Sequence, residues 1–137
     1  METAPFYKDV AEAPADARSF FVKAKDGTRL RFSLWGSGAR GLAVVLPGRS
    51  ECIEKSGRVA GDLTMRGFSV AIIDWRGQGL SDRQDLSAML NHPEVVAVTG
   101  PRVMFSHSMG GCIGLRTLLS EHPFQAAILS APMWGLK

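Results

Sequence analysis

Hydrophobic and polar residues alternate in two stretches near the start of the chain. The apolar side of these stretches consists of Phe20, Val22, Ala24, Leu30, Phe32 and Leu34. Asp26-Gly27 lies between the two stretches and suits the tight turn of a β-hairpin. The pattern predicts an antiparallel hairpin at the edge of a sheet. We expect the basic residues of the opposite side to face solvent, where charge keeps an edge from pairing: Lys23, Lys25, Arg29 and Arg31.

After Gly36 the chain changes to short apolar runs separated by segments of helical length. The runs are Leu42–Leu46, Phe68–Ile73, Arg102–Phe105 and Ala126–Leu129. Such runs are typical of parallel strands that are buried on both faces. Helices are predicted over Glu51–Arg66, on the spacing of Ile53, Val59, Ala60 and Leu63, and over Met109–Leu119. We therefore expect an α/β fold with a doubly wound, mostly parallel sheet, an N-terminal antiparallel hairpin, and a ligand site at the carboxyl ends of the strands.

Length and composition narrow the class of protein. A chain of 137 residues predicts a single domain, which we place at residues 18–137 after an irregular arm at residues 1–17. With 45% hydrophobic and 21% charged residues the chain is neither disordered nor fibrous. Its longest apolar runs fall far short of the roughly 20 residues of a membrane-spanning helix. The N-terminus lacks the pattern of a secretory signal, so we expect a cytoplasmic location.

Net charge and cysteine spacing argue against nucleic-acid-binding and metal-binding proteins. The net charge is +3, but the 16 basic residues are scattered, which argues against a nucleic-acid partner. The surplus favours anionic surfaces only weakly, so peripheral contact with a membrane surface is left open. Cys52 and Cys112 show no metal-binding spacing, and we expect them to be buried as small hydrophobic residues. We predict no metal site.

The strongest chemical signal follows the third apolar run. Ser106-His107-Ser108-Met109-Gly110-Gly111 joins a predicted strand to a predicted helix, the context of the G-x-S-x-G nucleophile elbow. A nucleophile held at strained backbone angles needs small residues two positions away on each side, and Ser106 and Gly110 meet that need. Gly111 lets the helix pack close to the sheet. The alternative is a serine that caps a helix, but the flanking strand and helix favour Ser108 as the nucleophile.

An acyl-transfer serine also needs hydrogen-bond donors where negative charge develops, usually two backbone amides. The Met109 amide at the helix start is one candidate. The second is the Arg49 amide in the loop after Leu46, where Gly48 permits a close approach. Ser50 can also cap the following helix, and both roles can coexist. The loop that begins at Asp74 is interpreted as structural, with Asp74 and Ser81 tying it to itself.

Several segments together resemble the α/β-hydrolase superfamily, and within it the bacterial lysophospholipase and monoacylglycerol lipase branch, which is related to the serine aminopeptidase domain. They are Leu46-Pro47-Gly48-Arg49-Ser50-Glu51, Ile53-Glu54-Lys55, Arg66-Gly67-Phe68, Asp74-Trp75-Arg76-Gly77-Gln78-Gly79-Leu80-Ser81, His107-Ser108-Met109-Gly110-Gly111 and Leu129-Ser130-Ala131-Pro132-Met133. The resemblance covers the chain from about Ser19 onward. It implies a cofactor-free serine esterase that acts on lysophospholipids or acyl glycerols, with Ser108 as nucleophile and the Arg49 and Met109 amides as oxyanion hole.

The triad acid and base are not evident in this chain. In such hydrolases they follow the serine, but after Ser108 the chain carries no aspartate, and Glu121 and His122 lie at the far end of the helix, about 18 Å away. His107 is a poor base because adjacent side chains point apart. We expect His92, next to Pro93, in a surface loop.

Two alternatives to an active esterase stay open. One is a non-catalytic module that keeps the hydrolase sheet and uses an exposed edge to bind a partner. The other is a truncated, inactive fragment. A sheet that ends at Ala126–Leu129 would leave an open edge and apolar surface around residues 131–134, which suits either alternative.

Overall fold

The computed structural model describes residues 2–75, 77, 79 and 86–134. Within these residues the strands are β1 (Glu2–Thr3), β2 (Arg18–Lys23), β3 (Arg29–Trp35), β4 (Leu42–Leu46), β5 (Ser69–Ile73), β6 (Arg102–His107) and β7 (Ala126–Ser130). The α-helices are α1 (Gly57–Met65), α2 (Leu86–Leu90), α3 (Pro93–Val96) and α4 (Met109–Leu118), and a 3-10 helix (Ile53–Ser56) precedes α1. The arm over residues 1–17 thus contributes one two-residue strand.

The described strands form one mixed sheet in the order β1-β2-β3-β5-β4-β6-β7. β2 and β3 form the predicted antiparallel hairpin, with Gly27 in its turn at φ 82°. β3 pairs antiparallel with β5, while β5, β4, β6 and β7 run parallel to one another. The carboxyl ends of the parallel strands therefore meet at one edge of the sheet, and the turns that follow them lie side by side.

Alternation along the central strands sends side chains into two separate cores. Ala43 and Val45 of β4 face the layer that holds α1, where Ile53, Ala60 and Leu63 are buried. The other face of β4 carries Leu42, Val44 and Leu46 and packs against residues of α2, α3 and α4. The predicted doubly wound α/β architecture with helices on both faces is confirmed.

Three expectations about individual side chains are wrong. His92 is 6% exposed, because its ring packs between Phe20 and Phe32 at centroid distances of 5.1 and 4.8 Å. Its Nδ1 accepts a hydrogen bond from the Glu94 amide at the start of α3.

The two cysteines, expected to be buried, are not: Cys52 is half-buried, and Cys112 is exposed on the outer side of α4. Arg31, expected in solvent, is 1% exposed.

Candidate active site

The turn between β6 and α4 places Ser108 at a strained backbone position. Its φ of 51° and ψ of −117° lie outside the regions that non-glycine residues ordinarily occupy. The Ser108 amide donates to the carbonyl of Ser130 at 3.2 Å, and its own carbonyl accepts from the amides of Gly111 and Met133 at 3.0 and 2.9 Å. Bonds to α4 and to the end of β7 thus hold the strained turn in place.

Small residues around Ser108 let three chain segments meet. A Cβ atom at Gly110 would lie 2.5 Å from the Pro47 carbonyl oxygen, so α4 begins directly against the end of β4. A Cβ atom at Gly111 would lie 2.7 Å from the Cβ of Pro132. Ser106 is buried, and its hydroxyl donates to the Ile128 carbonyl at 3.4 Å. The sequence pattern of small residues therefore corresponds to close backbone packing.

The loop over residues 47–52 lies against the Ser108 turn. A Cβ atom at Gly48 would be 3.3 Å from the Cβ of Ser108 and 3.3 Å from Cδ2 of His107. The Gly48 amide donates to the Glu51 carboxylate at 2.5 Å, which folds the loop back on itself. Arg49 comes next, with its side chain in solvent, and Met109 follows Ser108 as the first residue of α4. The structure thus brings the segments that carry the two predicted donor amides to one place.

Asp74 and Trp75 hold the two ends of this loop. The Trp75 indole N–H donates to the Pro47 carbonyl at 2.5 Å, where the loop begins. Oδ1 of Asp74 accepts from the Ile53 amide at 2.8 Å, where the loop ends. Asp74 is fully buried, and the backbone of Gly79 passes so close that no side chain would fit there. The predicted Ser81 partner of Asp74 lies outside the described residues.

Arg31 is the residue that the sequence pattern placed wrongly and that matters most to this loop. Its Nε donates to Oδ2 of Asp74 at 2.7 Å, and its two terminal nitrogens donate to the carboxylate oxygens of Glu54 at 2.7 and 2.8 Å. Nη1 also donates to the Pro5 carbonyl at 3.0 Å. Trp35 lies on the same side of β3 as Arg31 and is fully buried. A large apolar residue at this position of the sequence indicates that this side of the strand is covered.

Burial and hydrogen bonding act in opposite directions on these charged groups. Burial alone would raise the pKa of Glu54, but the hydrogen bonds and charge of Arg31, with backbone amides of Glu54 and Tyr7, hold that pKa below its ordinary value. Burial would lower the pKa of Arg31, yet Glu54 and Asp74 raise it. Glu54 and Arg31 are therefore both ionised at neutral pH.

The three histidines occupy different surroundings. His107 is exposed, and its Nδ1 lies 3.1 Å from the Ser130 carbonyl, so the ring is directed toward β7. His92 is enclosed by Phe20 and Phe32, and burial lowers its pKa despite the nearby charge of Glu94. His122 follows α4, stacks on Phe124 and accepts a hydrogen bond from that residue's amide.

A groove of about 310 Å³ lies beside the site, between α1 and β7. Its apolar lining includes Val59, Phe105 and Ile128, and Ser106 and His107 stand at the end nearest Ser108. Val59, predicted on the apolar face of the helix, is 43% exposed because it faces this groove. Within the part of the chain that is described, no group of three or more metal-ligating side chains occurs, and no helix is long and apolar enough to cross a membrane.

Comparison with known proteins agrees with the fold. Residues 37–137 match the model of the family described as serine aminopeptidase, S33. The chain belongs to this family of α/β hydrolases. It is 35% identical over 114 residues to lysophospholipase L2 of Escherichia coli, an alignment that covers 69% of this chain and 33% of the relative. A probable lysophospholipase L2 of Haemophilus influenzae is 27% identical over 116 residues, covering 73% and 37%.

Solved structures show the same architecture. An esterase of Pyrococcus furiosus superimposes with a TM-score of 0.73 at 18% identity and covers 94% of this chain and 55% of its own. An esterase from Exiguobacterium antarcticum gives a TM-score of 0.69 at 25% identity, covering 82% and 44%. The chain spans about a third of the length of the curated relatives that it matches and about half that of these solved structures.

Proposed function

We propose that this chain carries the nucleophile and the oxyanion hole of a serine ester hydrolase that acts on lysophospholipids or monoacylglycerols. The single observation that supports this best is the strained Ser108 turn, with Gly48 packed against it and α4 starting at Met109. Strain at a non-glycine residue persists only where the surroundings enforce it, and it is concentrated at functional sites. The lipid substrate class rests on the printed names of the lysophospholipase relatives.

In the proposed reaction, Oγ of Ser108 attacks the carbonyl carbon of the ester and loses its proton to a base. The carbonyl electron pair moves to oxygen, and the amides of Arg49 and Met109 donate to the resulting oxyanion. As the tetrahedral intermediate collapses, the protonated base gives its proton to the leaving alcohol oxygen, and the acyl-serine that remains is hydrolysed by water. Backbone donors fixed by the 47–52 loop and α4 need little reorganisation as the charge forms.

We place the acid and the base outside these 137 residues. None of the histidines suits the role, because His92 is enclosed by aromatic rings, His107 is directed toward the Ser130 carbonyl, and His122 packs on Phe124 beyond α4. No aspartate follows Ser108 in the sequence. Without these groups we expect the chain to retain only the part of the rate that comes from the oxyanion hole and binding.

Intact-mass measurement after reaction with a fluorophosphonate tests this proposal. The protein isolated from its native source should gain one adduct, mapped to Ser108, and Ser108→Ala should abolish it. Ser120→Ala is the matched control, because Ser120 lies beyond α4, where its hydroxyl donates to the Thr117 carbonyl. An adduct that persists in Ser108→Ala would overturn the assignment. A 14.8 kDa chain without any adduct would favour a catalytically inactive module or fragment.

A second function is favoured by a specific surface. Ile128 of β7 is 55% exposed and Trp134 is 80% exposed, beside the groove and at an unpaired edge of the described sheet. An exposed parallel strand with apolar residues is suited to pairing with another polypeptide. The chain would then be a non-catalytic module that binds a partner, for which the remaining part of a related hydrolase is the candidate. Absence of a complex at micromolar concentrations with the C-terminal part of the Escherichia coli relative would argue against this function.

A further inference from the structure

The loop over residues 47–52 is anchored at both ends by two consecutive residues. Trp75 binds the carbonyl of Pro47, and Asp74 binds the amide of Ile53. A shift of the Asp74 carboxylate would move the Ile53 end of the loop, and the short loop would pass that change on to Gly48, which packs against Ser108 near the other end.

The guanidinium of Arg31 binds the Asp74 carboxylate and connects it to the carboxylate of Glu54. Oδ2 of Asp74 lies 2.6 Å from Nη2 of Arg31, and the same guanidinium binds both oxygens of Glu54. Glu54 follows Ile53 directly in the chain, so Arg31 holds the end of the loop through two routes, one through Asp74 and one through Glu54. A planar guanidinium can bind two carboxylates in this way, whereas a lysine ammonium cannot reproduce the geometry.

The cluster is more suited to fixing one conformation than to adding stability. The side chains of Arg31, Asp74 and Glu54 are 1%, 0% and 7% exposed, and buried charges pay a large desolvation penalty that their attraction offsets only with good geometry. An apolar cluster of the same size would stabilise the fold as well or better. What apolar side chains would not provide is a directed hydrogen bond to the Ile53 amide.

We propose that Arg31 is a positioning residue for the oxyanion loop: by holding Asp74 and Glu54 it keeps the 47–52 loop, and with it the Arg49 amide, against Ser108. This inference rests on the proposed function for the meaning of the loop. Whether Arg31 holds the 47–52 loop in one conformation can be tested without measuring enzymatic activity.

Hydrogen–deuterium exchange of Arg31→Lys provides that test. We expect the amides of Gly48 and Ile53, which donate to the carboxylates of Glu51 and Asp74, to exchange at least about tenfold faster, since a hydrogen bond to a charged group is weakened, while amides of β4 and β6 keep their rates. Arg29→Lys is the matched control, because Arg29 lies in the same strand but is exposed, paired with Glu2 and stacked on Phe21. Unchanged exchange in the loop, or an equal increase throughout the sheet, would overturn the proposal.

If Arg31→Lys does not fold, the same exchange measurement is made on Glu54→Gln. This substitution keeps the side-chain size and weakens the contact between Arg31 and residue 54.

The kinetic readout is fluorophosphonate labelling of Ser108, with the maximal labelling rate measured separately from the reagent concentration at half that rate. A positioning role lowers the maximal rate about tenfold or more and leaves the half-saturating concentration unchanged. If Ser108 of the wild-type protein is not labelled, the proposed function fails, while the exchange measurement still decides the role of Arg31.

Discussion

The two sides of the sheet differ in how completely the chain covers them. On the side of β3, β5 and β4, helices lie on both faces, and Ile72 of β5 is fully buried. On the side of β6 and β7, α4 covers one face, but the other borders the open groove, and Ile128 is 55% exposed. Parallel strands normally have both faces covered. This chain therefore covers both faces of the closed side, whereas it leaves one face of the open side exposed.

The Ser108 turn stands at the boundary between these sides. Its strand, β6, pairs with buried β4 on one flank and with exposed β7 on the other. The loop that packs against Ser108 belongs to the closed side, through Asp74 and Arg31, while the Ser130 carbonyl that binds the Ser108 amide belongs to the open side. The geometry of the candidate site therefore depends on both.

The largest effect is expected from Arg31→Met on the closed side. Removing the guanidinium leaves Asp74 and Glu54 buried without their cation, which should lower the free energy of unfolding by about 3–5 kcal/mol. Urea unfolding followed by circular dichroism measures this change. Arg29→Met, at the exposed end of the same strand, should change it by less than about 1 kcal/mol. Equal losses in the two variants would show that the closed side does not depend on the buried cluster.

Gly110→Ala tests whether the start of α4 belongs to the closed side. The added Cβ would meet the carbonyl oxygens of Leu46 and Pro47, and we expect a loss of about 1–3 kcal/mol in thermal or urea unfolding. In Gly61→Ala, the matched control within α1, the nearest atoms belong to Pro14 at 3.8 Å. That variant should gain about 0.4–1 kcal/mol, because alanine restricts the unfolded chain. A gain in both would mean that α4 can move away from β4.

The pH dependence of unfolding should report on Glu54. Burial acts to raise its pKa, but Arg31 and the neighbouring amides lower it below the value in the unfolded chain. The stabilisation is thus fully present above the unfolded pKa of about 4.3 and is lost as the pH falls toward the folded pKa, since the unfolded chain takes up the proton first.

Glu54→Gln should reduce the slope of the unfolding free energy against pH over this acid range, as measured by urea titrations at several pH values. Glu2→Gln, in the surface pair with Arg29, should leave the contribution of Glu54 in place. An unchanged slope in Glu54→Gln would show that other carboxylates account for the acid sensitivity of the fold.

The smallest expected effect separates the two sides most directly. Ile72→Val should cost about 0.5–1.5 kcal/mol, because it removes a buried methylene group. The same substitution at Ile128 should cost less than about 0.5 kcal/mol in the chain alone, because the side chain already meets solvent. A cost at Ile128 that rises to the level of Ile72 when a partner is added would show that the partner covers the open side.

Much of the fold could be predicted from residue patterns. The four apolar runs correspond to the four parallel strands, and the hairpin turn at Asp26-Gly27 is where the pattern placed it. Side-chain surroundings were harder to predict. Arg31 alternates with Leu30 and Phe32 as an exposed residue would, and His92 stands before a proline as a loop residue would. Both are buried, because distant segments, residues 53–54 and 74 in one case and β2 and β3 in the other, pack on them.

The sequence by itself determined the hairpin, the four parallel strands and the approximate positions of α1 and α4, and it marked Ser108 as a candidate nucleophile through the small residues beside it. These properties depend on local alternation and on steric limits within a few positions. Only the tertiary structure decided which charges are buried, which histidines are enclosed, and that residues 74 and 75 anchor the loop beside Ser108. Such contacts join residues from 21 positions apart, as for Ile53 and Asp74, to 72 positions apart, as for Phe20 and His92. Their energies depend on desolvation and geometry that no local pattern contains.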